Sequence, residues 1–137
     1  MSVNPYLIFN GNTKEAMFFY KKAFNTEEPD IMYFKDIPPD EKFPITDENK
    51  ELVMHASLKI KGTNFMFSDA APGSEVKFGS NITLMFGSDN LEELQSAFDI
   101  LSEDGKLQMD LQETFWSKAY GSVVDKFGVG WQFNLND

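Results

Sequence analysis

A stretch near the start of the chain recurs once, and this repeat constrains the fold more than any other feature of the sequence. Residues Asn4 to Phe24 read NPYLIFNGNTKEAMFFYKKAF, and residues Asn81 to Leu101 read NITLMFGSDNLEELQSAFDIL. Laid together without a gap, the two stretches share their apolar positions although few residues are identical, as in the pairing of Phe9 with Phe86. We interpret the repeat as a duplicated opening of strand, turn and helix.

Both copies carry the signals that begin a helix. Asn12 and Asn90 are predicted N-caps, and each is followed three residues later by a glutamate. Beyond each cap, apolar residues recur at helical spacing on one face. These residues are Ala16, Phe19, Tyr20, Ala23 and Phe24 in the first copy and Leu91, Leu94, Ala97, Phe98 and Leu101 in the second.

Strands are predicted after each helix, from short apolar or alternating runs bounded by turn residues. In 52–60, Met54, Ala56, Leu58 and Ile60 are predicted to share one face, with His55 on the other. The predicted strands are 31–34, 52–60 and 65–68 in the first half and 106–112, 119–125 and 129–135 in the second. Each half therefore reads β-α-β-β-β.

The domain organisation follows from this duplication. We predict one domain over residues 1–137, made of a first module at about 3–68, a linker at about 69–80 and a second module at about 81–135. Residues 36–51 contain Pro38, Pro39, Pro44 and several carboxylates, and they are predicted to form an exposed excursion. Its simplest interpretation is a solvated acidic surface, and the alternative is a flap over a site or an arm that reaches a partner subunit.

Charge and composition exclude several classes of function. The 12 Lys and Arg residues against 22 Asp and Glu residues give a net charge of −10, which opposes binding to nucleic acid or to anionic membranes. The chain has no Cys, so thiol catalysis, thiolate metal sites and disulfides are excluded. No apolar run approaches the length of a membrane span, and the first residues lack the features of a secretion signal. We therefore expect a cytoplasmic protein.

Five strings in the chain match a known pattern. They are PYLIFNGN from Pro5, MHASLKI from Met54, MFSDAAPG from Met66, QETFWSKAYG from Gln112 and DKFGVGW from Asp125. Together with the paired modules, they resemble the PhnB-like group of the vicinal oxygen chelate superfamily, which includes glyoxalase I, extradiol dioxygenases and bleomycin-resistance proteins. The resemblance implies an α+β fold in which the modules form a curved, mostly antiparallel, cup-shaped sheet with helices outside, commonly in a homodimer.

The resemblance also implies a divalent metal, held by one His early and one Glu late in each module. On this sequence the two His positions fall near Pro5 or Tyr6 and near Asn81. The two Glu positions fall near Phe67 or Ser68 and near Asn134. None of these residues is His or Glu. An amide oxygen supplies no charge to offset the dehydration of the ion. We therefore expect no catalytic metal and no other cofactor.

Candidate site residues come from the sole histidine, the aromatic strings and the positions just named. His55 is either a hydrogen-bonded strand residue or the general base of a site in the cup. Phe115, Trp116, Tyr120 and Trp131 are predicted to form a pocket wall, with core packing or a dimer seam as alternatives. The predicted ligand-binding residues are Tyr6, His55, Asn81, Phe115, Trp116, Tyr120, Trp131 and Asn134.

Three functions remain open from the sequence. The first is a PhnB-like, glyoxalase-fold protein that binds a small organic ligand in an aromatic-lined cup without a catalytic metal. The second is a lyase, isomerase or dioxygenase of the same superfamily, either metal-dependent or operating through His55 and polar residues such as Asn81. The third is a dimeric interaction module without a small ligand. A methyltransferase is disfavoured, because no strand, Gly-rich turn and helix occur together to hold a methyl donor.

Overall fold

The contacts within the chain divide it into two units, Met1–Val76 and Lys77–Asp137. The computed structural model describes residues 1–38, 40–42 and 44–136. The boundary between the units lies inside the linker predicted at about 69–80. In the described part of the chain each unit contains one α-helix and one open four-stranded sheet, so the α+β fold with tandem β-α-β-β-β units is confirmed.

The first unit follows the predicted order of elements. Strand β1 runs parallel to β4, and the other neighbours in the order β1-β4-β3-β2 are antiparallel. The elements are β1 Tyr6–Phe9, α1 Thr13–Phe24, β2 Asp30–Tyr33, a short 3-10 helix Phe34–Asp36, β3 Val53–Ile60 and β4 Thr63–Asp69. Lys61 and Gly62 join β3 to β4 in a tight turn with φ values of 49° and 85°, the left-handed pair that favours a two-residue hairpin.

The second unit repeats this topology. Its sheet has the order β5-β8-β7-β6, with β5 parallel to β8 and the other pairs antiparallel. The elements are β5 Leu84–Ser88, α2 Leu91–Ser102, β6 Lys106–Gln112, β7 Tyr120–Val124 and β8 Gly130–Leu135. Each sheet is therefore mostly antiparallel with one parallel pair, which the return from a crossover helix requires.

The gapless alignment of the two copies holds for their strands and fails by one residue at their helices. Phe9 and Phe86 are both buried on their strands. The connection from Phe9 to the start of α1 spans 10–12, whereas that from Phe86 to the start of α2 spans 87–90. The second unit thus has one residue more between the paired phenylalanines and the helix, in a strand that continues to Ser88, and Ala16 rather than Met17 corresponds to Leu94.

Each helix covers one face of its own sheet. In the first unit, Tyr20 on α1 stacks on Phe67 of β4 with ring centroids 6.3 Å apart. In the second, Phe98 on α2 meets Phe133 of β8 edge-on at 5.2 Å. The buried aromatic and aliphatic residues of each unit lie between helix and sheet. The opposite face of each sheet carries half-buried and exposed side chains.

The two helices begin differently, although both start where the sequence predicts. Asn90 accepts a hydrogen bond at Oδ1 from the N–H of Glu93 at 3.1 Å, as a side-chain cap does. The Asn12 side chain makes no capping bond. Instead, Asp69 at the end of β4 accepts the N–H of Thr13 at 3.0 Å through Oδ1 and that of Val53 at 2.8 Å through Oδ2. A carboxylate from the hairpin therefore replaces the predicted cap of α1.

A bulge in β3 changes the predicted facing of its first residues. The register moves from Met32 opposite His55 to Tyr33 opposite Val53, so Met54 is the extra residue. As a result Val53 is buried and Met54 is only half-buried, whereas Ala56, Leu58 and Ile60 lie in the core as predicted. Strict alternation along the strand therefore gave the wrong face for Met54.

The acidic excursion is exposed over most of its described residues. Backbone hydrogen bonds join the two ends of the excursion. The Phe34 N–H donates to the Leu52 carbonyl at 3.0 Å, and the Lys35 N–H donates to the Lys50 carbonyl at 3.2 Å. The Lys35 side chain also pairs with Glu51 at 3.1 Å. Pro39 lies outside the described residues. The flap and partner-arm interpretations stay predictions.

None of the helices in the described residues has the length and apolar character needed to span a membrane.

Candidate functional site

The face of each sheet that its helix leaves open is the natural place for a site, because its side chains are accessible and held by regular strands. The two faces are described separately. The Tyr6–His55 face of the first unit consists of Tyr6, Ile8, Asp30, Met32, His55, Ser57, Lys59, Asn64, Met66 and Ser68. The amide face of the second unit consists of Met85, Tyr120, Ser122, Gln132 and Asn134, with Trp116 packed against it.

Tyr6 and His55 meet on the first face. The Tyr6 hydroxyl lies 3.3 Å from Nδ1 of His55, and the ring centroids are 5.8 Å apart. Strand β4 separates their two strands, so the tyrosine ring reaches across the sheet toward the imidazole. Tyr6 is 45% exposed and His55 is half-buried. The pair is a hydroxyl and an imidazole in mutual contact on an accessible surface.

The side chains around this pair are mixed in character, since Asp30 lies directly across from Ser57 on the same face. Met32 lies directly across from His55, and Met66 lies directly across from both Ser57 and Tyr6. If the Tyr6 hydroxyl donates to Nδ1, the other ring nitrogen, Nε2, carries the proton and is a donor; if Nδ1 donates to the hydroxyl, Nε2 is a base. Both arrangements allow a proton to be exchanged with a bound molecule.

On the amide face, a chain of hydrogen bonds fixes the central glutamine. The Tyr120 hydroxyl donates to Oε1 of Gln132, and Nε2 of Gln132 donates to Oγ1 of Thr83 at 2.7 Å. A hydroxyl group therefore holds each end of the Gln132 amide. Asn134, beside Tyr120 on the next strand, donates from Nδ2 to Oδ1 of Asn136 at 3.1 Å. Two oriented amides therefore lie on one half-buried surface.

An aromatic pair stands at the edge of the amide face. Trp116 meets Tyr120 with ring centroids 5.4 Å apart at 67°, and Phe115 meets Trp116 at 4.7 Å and 82°. Trp116 is 55% exposed and Phe115 is 97% exposed. The loop that carries them is tied by a bond from the Thr114 N–H to the Ser117 carbonyl at 2.9 Å. The indole is thus accessible and is held against a residue of the sheet.

Two predicted site residues lie elsewhere. Trp131 is on the face that packs against α2, where it is 2% exposed and donates from Nε1 to Oδ2 of Asp125 at 2.9 Å. It is a core residue, so it is not part of the open face. The strand predicted from Asn81 begins at Leu84, which leaves Asn81 exposed in the preceding segment. The remaining predicted residues lie on or beside one of the two open faces.

Sequence reasoning missed the two residues that organise the amide face, Gln132 and Thr83. Alternation along 130–135 was the available signal: it puts Gln132 and Asn134 on the face opposite Trp131 and Phe133. The bond between Thr83 and Gln132 joins residues 49 positions apart. Its identification needs the parallel pairing of β5 with β8, which no local pattern specifies.

The donor set can be tested against the divalent metal that the resemblance implies. A hard or borderline dication requires carboxylate or imidazole ligands. On the parallel strands of the two sheets, the open-face residues are Tyr6, Ile8, Met66 and Ser68, and Met85, Gly87, Gln132 and Asn134. None is His, Asp or Glu, and within 1–38, 40–42 and 44–136 no three such side chains group together as metal ligands. The residues present do not fit the superfamily's metal.

Comparison with known proteins places these features in a family. Residues 1–134 match the family model described as 3-demethylubiquinone-9 3-methyltransferase. Protein YjdN of Escherichia coli strain K12 is 34% identical over 146 aligned positions, which cover 98% of this chain and 95% of YjdN.

Two solved structures share the fold over nearly the whole chain. Protein PA1353 from Pseudomonas aeruginosa superposes with a TM-score of 0.85 at 32% identity, covering 98% of this chain and 96% of that one. The PhnB protein from Bacillus cereus, titled a putative 3-demethylubiquinone-9 3-methyltransferase, superposes with a TM-score of 0.78 at 28% identity, covering 99% and 100%.

Proposed function

Since the chain belongs to the family described as 3-demethylubiquinone-9 3-methyltransferase, the PhnB-like group of the glyoxalase superfamily, we propose that it binds a small organic ligand on the amide face. The observation that carries this proposal is the group formed by Trp116, Tyr120 and Gln132. An accessible indole lies against a tyrosine whose hydroxyl orients a glutamine amide. Small-molecule sites combine apolar rings with a few fixed polar groups in this way.

The energetic argument rests on preorganisation. Gln132 is already held by hydrogen bonds to Tyr120 and Thr83. A ligand that contacts its amide therefore binds without the loss of side-chain entropy that ordering a free glutamine would cost. Stacking on Trp116 covers an aromatic surface that is 55% exposed. The preordered amide and the stacking on Trp116 both favour ligand binding on this face.

A thermal-shift screen of small metabolites, followed by titration of tryptophan emission, tests the proposal. A ligand that prefers the folded state raises the melting temperature by mass action. We expect a hit to change Trp116 emission and to lose about tenfold in affinity in Tyr120→Phe and in Gln132→Leu. Met32→Leu, on the first unit's open face, is the control. A ligand whose affinity is the same in all variants would show that the amide face is not its site.

We propose that the protein is not a methyltransferase, despite the descriptive name of its family. Methyl-donor sites of the doubly wound type lie beside a Gly-rich turn between a parallel strand and a helix. Here the turn into α1 contains one glycine, Gly11, the turn into α2 at 89–90 contains none, and each described sheet has a single parallel pair. Equilibrium dialysis with S-adenosylmethionine should show no saturable binding, and saturable binding would contradict the proposal.

A second candidate function is proton transfer by Tyr6 and His55. The 3.3 Å contact between the hydroxyl and Nδ1 favours it, since a hydroxyl and an imidazole together can give and take a proton at one bound carbonyl compound. Exchange of α-hydrogens of small ketones into deuterated water, followed by NMR, is the readout. We expect exchange above the uncatalysed rate that is lost in His55→Gln and reduced in Tyr6→Phe. Equal rates in all three proteins would reject this function.

We propose further that the protein works without a catalytic metal. The support is the donor set of the open faces, which offers no carboxylate or imidazole on the parallel strands. Elemental analysis of protein purified without chelator and without nickel resin should find much less than one equivalent of metal. One full equivalent of tightly bound zinc, nickel, manganese or iron would overturn this.

For its assembly and location we propose a cytoplasmic homodimer. The fully exposed Phe115 beside Trp116 supports an interface, since such rings are costly to leave in water. Sedimentation velocity should give a dimer that Phe115→Ser weakens, with Phe78→Ser, another exposed ring, as the comparison. A monomer at all concentrations would reject the dimer and, with it, the interaction-module alternative.

A further inference from the structure

We infer that the ligand of the amide face is uncharged where it contacts the sheet and presents both a hydrogen-bond donor and an acceptor on a flat ring. This inference rests on the proposed function, and it names the chemical class that the site selects.

The absence of charge on three adjacent strands is the first observation. Strands β5, β8 and β7 read LMFGS, GWQFNL and YGSVV, and none contains Asp, Glu, Lys, Arg or His. Charged residues make up 25% of the chain as a whole. On the fourth strand, β6, Lys106 lies across from Val124 at the edge of the same side of the sheet, and both Lys106 and Asp110 are exposed. The amide face is therefore neutral in a highly charged protein.

A neutral surface discriminates against ions. A carboxylate or ammonium group that leaves water for this face loses hydration and gains no opposite charge, so its binding is penalised. The net charge of −10 adds a further, long-range penalty for anions. An uncharged polar group avoids both costs.

The hydrogen-bonding capacity of the face is mixed. Gln132 uses one N–H on Thr83 and accepts from Tyr120, which leaves it a second N–H. Asn134 uses one N–H on Asn136, and its Oδ1 is an acceptor on the same surface. A ligand with a donor and an acceptor side by side, such as an amide, satisfies both residues, whereas a carboxylate offers only acceptors and an ammonium only donors.

The exposed indole of Trp116 is the reason for expecting an aromatic ring in the ligand. Its indole contacts the Tyr120 ring at 67° and the Phe115 ring at 82°, and it is 55% exposed, so it is held by the protein while part of it remains accessible. A flat aromatic ring covers such a surface with little loss of conformational freedom. The class that fits all three observations is an aryl or heteroaryl amide, or a ring with an equivalent neutral donor and acceptor pair.

Three probes of one shape separate the alternatives: benzamide, benzoate and benzylamine. Each is titrated against the full-length protein, with binding followed by tryptophan emission and by calorimetry at pH 7. We expect benzamide to bind at least about tenfold more tightly than either ion, because each ion is desolvated without a counter-charge. Trp116→Leu should abolish the emission change.

A charge introduced at one position provides the matched test. Gln132→Glu keeps the size of the side chain and adds a negative charge, so it should weaken benzamide and strengthen benzylamine. Gln108→Glu makes the same chemical change at an exposed position of β6 and should leave the order of the three probes unchanged. Circular dichroism confirms that both variants are folded.

Each outcome decides the inference. Benzoate or benzylamine binding as tightly as benzamide to the parent protein would overturn the chemical class and leave the proposed site standing. No binding of any probe up to its solubility limit would also overturn it. The metabolite screen, with its own Tyr120→Phe and Gln132→Leu variants, decides the proposed function independently of these probes.

Discussion

The Asp125 side chain shows how one buried carboxylate organises a turn and a ring. Its Oδ1 accepts the N–H groups of Phe127 at 2.9 Å and Val129 at 3.1 Å, and its Oδ2 accepts the indole N–H of Trp131 at 2.9 Å. Gly128 in the same turn has a φ of 91°, a conformation that residues with a Cβ rarely adopt. The string DKFGVGW is thus a structural unit that closes the β7–β8 hairpin.

We predict that Asp125→Asn destabilises the protein by about 1–3 kcal/mol. Asparagine retains one acceptor oxygen, so either the turn N–H groups or the Trp131 indole must lose its partner in a buried place. Urea unfolding followed by circular dichroism measures the change. Asp110→Asn, at an exposed carboxylate that accepts only the neighbouring Leu111 N–H, should stay within about 0.5 kcal/mol. Equal effects at the two positions would contradict the role given to Asp125.

Gly121 on β7 is required for close packing. A Cβ built at this position would lie 2.9 Å from the Phe98 ring and 3.1 Å from backbone atoms of Met109 and Leu111. We predict that Gly121→Ala costs about 1–3 kcal/mol through overpacking. Gly79→Ala, whose Cβ would meet only the Asn81 side chain at 3.4 Å, is the control. The melting temperatures of the two variants check the prediction. A Gly121→Ala protein as stable as the parent would contradict it and would show that β6 and α2 can shift to accommodate the added Cβ at little cost.

At this scale the sequence identified important residues more reliably than their roles. Trp131 was expected in a pocket wall because rings are common there, yet its indole N–H has a buried partner six positions earlier in the chain. Tyr120 and Asn134 were expected at the site and do lie on the open face. The strand pattern separates these two faces, but it does not say which one a helix will cover.

Among the elements, the helix starts give the clearest contrast. Asn90 caps α2 with its own side chain, whereas α1 receives its acceptor from Asp69. We predict that Asn90→Ala destabilises the protein by about 1 kcal/mol and Asn12→Ala by only a few tenths. Denaturant unfolding of the two variants is the measurement. A larger loss for Asn12→Ala would mean that its side chain caps α1 in solution.

The number, type and order of elements were predictable because the repeat and the helical and strand periods agree with each other. The bulge at Met54 and the extra residue between Phe86 and α2 were not, because each depends on pairing with a distant strand or on packing of the helix. For the same reason the Gln132 contact with Thr83 escaped prediction.

For the whole molecule, the net charge of −10 predicts a response to salt. Self-repulsion opposes the compact state and is screened as ionic strength rises. Sodium chloride should therefore raise the melting temperature by a few degrees in scanning calorimetry at pH 7. Glu48→Lys changes the net charge by two units at an exposed position and should raise the low-salt melting temperature while reducing the salt effect. A melting temperature that falls with salt would contradict this.

The bond from Thr13 to Asp69 also bears on how the protein is made. It joins residues 56 positions apart, whereas the Asn90 cap reaches only three residues ahead to Glu93. A ribosome releases the chain from its amino end, so α1 emerges long before the carboxylate that completes it, and α2 emerges with its cap already attached. The hydrogen bond that completes the start of α1 can form only after the hairpin has been synthesised.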